Sequence, residues 1–213
     1  MLVQDIMERQ VVTINPRTAL PEALRLLQQR RIRHLPVLEN GELVGIISDR
    51  DLKRAMASPA TSLTVHELQY LLDRLRIGEI MTRGVITIGP MMPVEAAARL
   101  MVQEKISALP VTDGARLVGI VTETDLLQLL VEAMGAAEPS SRLDVLLGDR
   151  PSALVEVVRA VEDAGLRISS IVTFPARGGM KTAVVRLATI DPGPAVRALE
   201  ARGYAVRETW RSA

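Results

Sequence analysis

An internal repeat is the feature that most constrains how this chain folds. Residues 3–54 align with residues 77–128 without a gap, and about two fifths of the aligned positions are identical. Such self-similarity predicts two copies of one structural unit. A unit of about 55 residues buries too little surface to be comfortably stable alone. We therefore expect the two copies to pack on each other as a pseudo-twofold pair.

Each copy is predicted to follow the order β-α-β-β-α. A β-branched run opens the copy, apolar residues at helical spacing follow it, and two strand-like runs then flank a turn that contains glycine. We place that turn at Asn40-Gly41 and Asp113-Gly114, and the last helix is expected to begin at Asp49 or Glu123. The strands are expected at 11–14, 35–38 and 43–47 in the first copy and at 85–88, 109–112 and 117–121 in the second.

The segment between the copies, residues 58–76, is predicted to be a connecting helix. Thr64 and Glu67 have the spacing of a capping box, which satisfies unpaired backbone N–H groups at a helix start. Leucines follow at helical spacing and give this helix one apolar face. These leucines are Leu68, Leu71, Leu72 and Leu75.

The last third of the chain has a different pattern. It predicts a separate domain at 143–213, after a linker of small residues at 136–142. The elements are expected in the order β-α-β-β-α-β, with one hairpin at Gly178-Gly179, which is the ferredoxin-like split βαβ arrangement. With the repeat, the chain is predicted to be an α+β protein.

Composition excludes several classes of function. The chain has 26 Lys and Arg residues against 25 Asp and Glu residues, so no global charge recruits nucleic acid or an anionic membrane. Cysteine is absent, which excludes disulfides and cysteine-based metal or nucleophile sites. Early charged residues argue against a secretory signal, and no run of about 20 apolar residues predicts a membrane span. We expect a cytoplasmic protein.

The two copies resemble CBS domains, and the pair resembles a Bateman module. The strings that carry the resemblance are Leu-Pro-Val at 35–37 and 109–111, Gly-Ile-Ile-Ser-Asp-Arg-Asp at 45–51 and Gly-Ile-Val-Thr-Glu-Thr-Asp at 119–125. The resemblance covers about residues 1–135 and implies CBS domains at 1–57 and 77–135. The leucine-rich insert is also similar to that of AcuB-type proteins of acetoin utilisation.

The C-terminal domain resembles an ACT domain, a regulatory module that often binds amino acids at subunit interfaces. The resemblance rests on Asp-Arg-Pro-Ser-Ala-Leu at 149–154, between the first strand and the first helix. It makes Asp149, Arg150, Pro151 and Ser152 candidate ligand contacts. ACT domains usually have glycine after the proline, where a ligand approaches the backbone closely. Because Ser152 occupies that position, the resemblance supports the fold more than it supports amino-acid binding.

Ser48 with Asp51, and Thr122 with Asp125, are the leading candidate site residues. Each pair has the Ser/Thr-x-x-Asp spacing of a helix cap at a strand-to-helix junction. A carboxylate there can also accept hydrogen bonds from both hydroxyls of a ribose. The resemblance to CBS domains assigns these positions to ribose binding. We expect caps in both copies and an adenosine-containing ligand at one or both.

Arg33 and His34 precede the Leu-Pro-Val strand of the first copy, at a corner that the resemblance places in the ligand cleft. A guanidinium pairs well with phosphate oxygens, whereas the second copy has Ser107 and Ala108 at the matching positions. The cleft that receives Arg33 and His34 is therefore expected to prefer more phosphate. If the copies cross, it is the cleft that contains Asp125.

Arg50 is a further candidate phosphate contact, beside Arg54, at the start of the last helix of the first copy. The alternative for both arginines is an exposed position paired with Asp49 or Glu42. The alternative for Arg33 is a solvated position without a ligand.

The sequence predicts a non-catalytic sensor of AMP, ADP or ATP that signals through the ACT-like domain or a protein partner. No metal spacing, nucleophile motif or phosphate loop supports catalysis, so no catalytic residue, catalytic cofactor or metal is expected. Few aromatics and no basic stripe disfavour nucleic-acid binding. A homodimer is expected, because twofold symmetry is commonest. Alternatives are a partner-binding protein with empty clefts, an enzyme of acetoin-related metabolism, and a sensor of S-adenosylmethionine or a cyclic dinucleotide.

Overall fold

The computed structural model describes residues 1–56, 74–136, 139–175 and 181–212, with the backbone alone for 208–212. The backbone divides into two compact units, Met1–Leu126 and Leu127–Ala213. The predicted connecting helix at 58–76 lies outside the described residues except for its last three positions. The predicted hairpin at Gly178-Gly179 lies outside them altogether.

The two copies of the repeat have the same run of elements. The first copy consists of α1 (Val3–Ile6), α2 (Leu20–Arg30), β1 (His34–Glu39), β2 (Glu42–Ser48) and α3 (Asp49–Met56). The second consists of α4 (Ile77–Ile80), α5 (Val94–Glu104), β3 (Ala108–Asp113), β4 (Arg116–Thr122) and α6 (Glu123–Ala133). The last helix of each copy begins at the predicted residue.

The strands of each copy form an antiparallel hairpin, β1 with β2 and β3 with β4. Asn40 and Gly41 form the first turn with φ values of 53° and 86°, the left-handed pair that a tight hairpin turn favours. The second turn is Gly114-Ala115, one residue later than predicted, because Asp113 still pairs with Arg116.

The predicted first strand of each copy is wrong as a continuous strand. Each is reduced to a single parallel bridge, made by Ile14 in the first copy and Ile88 in the second. In the first copy the pairing ends at once because a turn follows, in which the Thr18 N–H donates to the carbonyl of Asn15 at 3.1 Å.

The opening segments of the two copies, residues 3–10 and 77–84, are exchanged between the copies. Met7 packs over Gly119 of the second copy, and Met81 packs over Gly45 of the first. A β-carbon at Gly119 would lie 3.2 Å from the Glu8 carbonyl oxygen and would overlap the Met7 side chain, so glycine is the residue that fits under the methionine. At Gly45 of the first copy, Met81 and Thr82 of the second copy take the places of Met7 and Glu8. The two copies are therefore related by a pseudo-twofold axis.

Two apolar clusters form the core of this unit. One joins α2 and the first hairpin to Ile77 and Met81 of the second opening segment. The other joins α5 and the second hairpin to Val3 and Met7 of the first opening segment. Buried apolar area contributes about 25 cal/mol per Å², so the stability of each cluster depends on both copies being present.

The second unit contains β5 (Ser140–Gly148), α7 (Ala153–Asp163), β6 (Ile168–Phe174), β7 (Lys181–Leu187), α8 (Gly193–Ala201) and β8 (Ala205–Ser212). Its antiparallel sheet has the order β6-β7-β5-β8. This is the predicted split βαβ topology. The two helices and the sheet share one core, which includes Leu143, Val157, Val185 and Leu199.

β5 begins at Ser140, within the segment predicted to be a linker. Ser140 and Ser141 are both buried. The Ser140 Oγ accepts a hydrogen bond from Arg186 at 2.9 Å, and the Ser141 Oγ donates to the carbonyl of Thr189 at 2.6 Å. Small polar residues extend the strand here because their hydroxyls find partners inside the unit.

Candidate functional site

Two clefts lie between the copies at equivalent positions. The Asp51 cleft has a volume of about 300 Å³ and the Asp125 cleft about 280 Å³, near the lower end of the range for small-molecule pockets. The polar lining of the Asp51 cleft is His34, Ser48, Arg50, Asp51, Arg54, Thr82, Lys105 and Ser107. The polar lining of the Asp125 cleft is Glu8, Gln10, Arg31, Arg33, His34, Thr122, Thr124 and Asp125.

Each cleft takes residues from both copies because the opening segments are exchanged. Thr82 reaches the Asp51 cleft by pairing its backbone with Ile46, with N–O distances of 2.9 and 3.0 Å. Glu8 reaches the Asp125 cleft by pairing with Ile120 at the same two distances. The copies therefore cross at both clefts, and the corner that contains Arg33 faces the strand-to-helix junction of the second copy.

The Ser48–Asp51 and Thr122–Asp125 pairs form the predicted helix caps. The Asp51 Oδ2 accepts hydrogen bonds from the Ser48 N–H at 2.9 Å and from its Oγ at 2.6 Å. The Asp125 Oδ2 accepts from the Thr122 N–H and Oγ1, both at 2.7 Å. Among the described residues, both caps use Oδ2, which leaves Oδ1 of each aspartate to accept hydrogen bonds from a ligand.

Arg33 lies in the Asp125 cleft, as expected if the copies cross. Its Nη2 donates to the Thr124 Oγ1 at 2.9 Å, which holds the guanidinium of the first copy beside the first turn of α6. The Arg33 side chain is exposed and is tethered to Thr124, and its role as a phosphate contact stays a prediction.

His34 lines both clefts. His34 Nε2 and Ser107 Oγ share a hydrogen bond of 2.9 Å that joins the two copies. Burial, followed by the positive charge of Arg33, lowers the pKa of His34 from its usual 6.5, while three nearby carboxylates oppose this more weakly. The imidazole is uncharged at neutral pH, so it adds hydrogen bonding but no positive charge to either cleft.

The Asp51 cleft contains the larger excess of basic side chains. Arg50, Arg54 and Lys105 line it, and Asp51 is the one carboxylate among its lining residues. Asp49, one of the two alternative partners for these arginines, pairs with Lys53 at 2.9 Å. The formal charge of this lining is therefore +2.

The Asp125 cleft is balanced. Arg31 and Arg33 line it together with Glu8 and Asp125. Because His34 is uncharged, the formal charge of this lining is zero. The two clefts share one backbone frame and differ by two units of charge.

The second unit has a cavity of about 670 Å³ at the turn between β5 and α7. Three of the four candidate ligand contacts, Asp149, Arg150 and Pro151, line it. Ser152 is not among its lining residues: the Ser152 hydroxyl donates to the Glu156 Oε1 at 2.6 Å. Arg150 also pairs with Glu156 at 3.4 Å, so the Arg150 and Ser152 side chains both have a partner within the unit.

The described ranges contain no group of three or more histidine, aspartate or glutamate side chains placed to hold a metal ion. In the same part of the chain, no helix has the length and apolar character needed to cross a membrane.

The sequence matches the CBS domain family over residues 3–58 and 77–132, which together exceed half of the chain. The chain therefore belongs to the CBS domain family and contains a tandem CBS pair. A CBS domain-containing protein of Dictyostelium discoideum is 39% identical over 142 residues, a match that covers 66% of this chain and 98% of that protein.

Solved CBS proteins have the same fold. The CBS domain pair of protein MJ0100, in complex with 5′-methylthioadenosine and S-adenosyl-L-methionine, is 35% identical with a TM-score of 0.54, over 62% of this chain and 97% of that one. AcuB of Vibrio cholerae, named for acetoin utilisation, is 31% identical with a TM-score of 0.53, over 65% of this chain and 98% of that one. CBSX2 in complex with AMP is 30% identical with a TM-score of 0.51, over 62% of this chain and 96% of that one.

Sequence reasoning missed several residues of the clefts. Glu8, Thr82 and Gln10 come from the opening segments, whose exchange between copies has no local signal. Arg31 and Lys105 end α2 and α5 in the left-handed conformation, with φ values of 53° and 55°. Basic residues at equivalent helix ends of both copies were a signal that the repeat alignment made available.

Proposed function

We propose that this chain is a regulatory protein without catalytic activity that senses an adenine nucleotide, AMP, ADP or ATP, in its CBS pair. The observation that carries the proposal is one hydroxyl-carboxylate cap repeated in two equivalent clefts, at Asp51 and at Asp125. Solved relatives bound to AMP, and to 5′-methylthioadenosine with S-adenosyl-L-methionine, support an adenosine-containing ligand.

In the proposed complex each aspartate binds the ribose. The cap fixes the carboxylate through Oδ2, and Oδ1 accepts hydrogen bonds from the 2′ and 3′ hydroxyls. Hydrogen bonds to a charged group contribute about 1.5–3 kcal/mol each. The substituent on the ribose 5′ carbon then shares the cleft with basic side chains, Arg33 at Asp125 and Arg50 at Asp51.

The proposed signal is a change in the relative stability of two arrangements of the copies. A ligand shifts such a balance only as far as its affinity for the two arrangements differs. Each cleft uses residues of both copies, so ligand contacts depend on how the copies are arranged. Asp125 lies in the first turn of α6, and this helix continues past residue 126 into the second unit. We propose α6 as the element that transmits the change.

We propose that the second unit is an ACT-like regulatory domain. Its βαββαβ topology and the Asp-Arg-Pro-Ser string at 149–152 support this assignment. The cavity beside Arg150 supports a small-molecule ligand there. The engagement of Ser152 by Glu156 favours a role in relaying the signal over amino-acid binding.

Assembly and context are also proposed. The side chains of Leu127, Leu130 and Val131 on α6 are exposed, which supports a homodimer or a regulated protein partner at that face. Similarity to AcuB supports a link to acetoin utilisation. A second candidate ligand, S-adenosylmethionine, is favoured by the complex of MJ0100.

Thermal unfolding tests the proposal. The parent protein is heated with AMP, ADP, ATP, S-adenosylmethionine or 5′-methylthioadenosine. A ligand at 100 times its dissociation constant adds about 2.7 kcal/mol, which raises the Tm by roughly 5–10 °C for a chain of this size. Asp51→Asn and Asp125→Asn keep an acceptor for the cap, and combining them is expected to remove the shift.

Asp113→Asn is the matched control, because Asp113 is exposed at the end of β3 and lines neither cleft. It is expected to keep the full shift. If no adenosine compound raises the Tm of the folded parent, the sensor proposal is wrong and the partner-binding alternative takes its place.

A further inference from the structure

The two clefts differ most at the side chains that a ligand's 5′ substituent would meet. Both clefts retain a hydroxyl-carboxylate cap, so both are equipped for a ribose. At the matching positions of the repeat, however, Arg50 corresponds to Thr124, and Thr82 corresponds to Glu8. Both exchanges make the Asp51 cleft more positive than the Asp125 cleft.

Arg33 reduces this difference without removing it. It adds a positive charge to the Asp125 cleft, where the Asp51 cleft has Ser107. Arg33 is held by Thr124, and Glu8 in the same cleft offsets its charge. The formal charge of the Asp125 cleft lining is therefore zero, against +2 for the Asp51 cleft.

The Asp51 cleft is also less filled at one position. Gly84 lines it, where the Asp125 cleft has Gln10. Gly84 has a φ of 64°, and the space that a β-carbon would take there is open. A longer 5′ substituent therefore meets less obstruction in the Asp51 cleft.

From these differences we infer that the clefts select different adenosine compounds. The Asp51 cleft takes an adenosine polyphosphate, and the Asp125 cleft takes an adenosine compound with at most one phosphate. This inference rests on the proposed function, since it assumes that both clefts bind adenosine. It reverses the preference expected from Arg33 alone, because three basic side chains line the opposite cleft.

Coulomb interactions set the size of the expected effect. A charge pair at about 4 Å corresponds to roughly a fivefold change in affinity in bulk water, and to more near a protein surface. A difference of two charges therefore predicts at least tenfold discrimination between a triphosphate and an uncharged substituent. Added salt is expected to reduce it.

The test measures each cleft separately by isothermal titration calorimetry, in buffer without divalent cations. Asp125→Ala leaves the Asp51 cleft, and Asp51→Ala leaves the Asp125 cleft. Each protein is titrated with ATP, AMP and 5′-methylthioadenosine. The Asp51 cleft is expected to bind ATP at least tenfold more tightly than 5′-methylthioadenosine, and the Asp125 cleft is expected to bind ATP no more tightly than 5′-methylthioadenosine.

Residue exchanges between the clefts identify the cause. Arg50→Thr, in the Asp125→Ala background, is expected to lower the affinity for ATP five- to tenfold and to leave the affinity for 5′-methylthioadenosine unchanged. Glu8→Thr, in the Asp51→Ala background, is expected to raise the affinity for ATP by a similar factor. Arg99→Gln removes an exposed positive charge outside both clefts and is expected to change neither affinity.

Lys105→Gly provides a variant that keeps the fold. Lys105 has a left-handed φ of 55° at the end of α5, a conformation that glycine adopts more readily. Lys105→Gly is expected to lower the affinity of the Asp51 cleft for ATP without lowering the Tm of the free protein.

Two results would overturn the inference. If both single-cleft proteins bind adenosine compounds and rank ATP and 5′-methylthioadenosine in the same order, the selectivity is wrong and the adenosine sensor stands. If neither folded protein binds any of the three compounds, the inference fails together with the proposed function.

Discussion

The Asp51 and Asp125 clefts are two versions of one site. The parts fixed by the fold are the same in both: the hairpin, the cap, the exchanged opening segment and the methionine over a glycine. The exposed residues around them differ, with Arg50 opposite Thr124 and Thr82 opposite Glu8. Buried positions are constrained by packing, whereas exposed cleft positions tolerate exchange. A duplicated frame can therefore keep the proposed ribose site twice and differ in the side chains that surround the rest of the proposed ligand.

The largest expected effect tests whether the frame is symmetric. Gly45→Ala and Gly119→Ala each place a β-carbon against a methionine and a backbone carbonyl, 3.1 Å from the Thr82 oxygen and 3.2 Å from the Glu8 oxygen. Each is expected to lower the free energy of unfolding by about 1–3 kcal/mol, the cost of overpacking. Urea unfolding measures both.

Gly89→Ala is the matched control for these substitutions. A β-carbon at Gly89 meets open space and the residue has no left-handed φ, so we expect little change in the free energy of unfolding. A loss at Gly119 with none at Gly45 would contradict a symmetric exchange of the opening segments.

The next effect concerns the residue shared by the clefts. His34→Ala gives the first copy the residue that the second copy has at 108, and it removes the hydrogen bond to Ser107. The expected loss of stability is about 1 kcal/mol. In a double-mutant cycle, Ser107→Ala should add little to His34→Ala. Fully additive losses would show that this bond does not join the copies.

A smaller effect is the pH dependence of stability. The pKa of His34 is lowered in the folded state, so below pH 6.5 the unfolded chain binds more protons than the folded one. The parent is expected to lose stability as pH falls through 6.5, and to show no contribution from His34 above it. Tm measured between pH 7.5 and 5.5 should fall less in His34→Ala. If Tm falls equally with pH in the parent and in His34→Ala, His34 is not the cause of the pH dependence.

The smallest effect is expected for Arg33→Ser, which installs the residue found at 107. The Arg33 side chain is exposed and, among the described residues, donates one hydrogen bond, to Thr124, so the free energy of unfolding should change by no more than about 0.5 kcal/mol. Affinity for AMP in the Asp125 cleft is expected to fall a few fold. A large loss of ATP affinity at the Asp51 cleft would contradict the separation of the two sites.

Local chemistry made much of this structure predictable. The caps at Asp51 and Asp125 follow from a four-residue spacing, and the β6 bounds, Ile168–Phe174, are those that the pattern predicts. Ser140 was assigned to a linker because its burial depends on Arg186, which is distant in sequence.

The clefts were predictable only in part. The repeat revealed the caps and showed that Arg33 and Ser107 break the symmetry. The exchange that brings Glu8 and Thr82 into the clefts depends on methionines packing on glycines of the other copy. These contacts join residues 112 positions apart (Met7 and Gly119) and 36 positions apart (Met81 and Gly45) and have no local signature, so the charge of each cleft required the structure.

The most direct test of the account is a calorimetric titration of 5′-methylthioadenosine into the parent protein after it has bound one equivalent of ATP per chain. If the clefts bind different adenosine compounds, one further equivalent of 5′-methylthioadenosine binds per chain, and Asp125→Ala abolishes this second event. If ATP instead prevents any binding of 5′-methylthioadenosine, the two compounds compete for the same cleft and the account is contradicted.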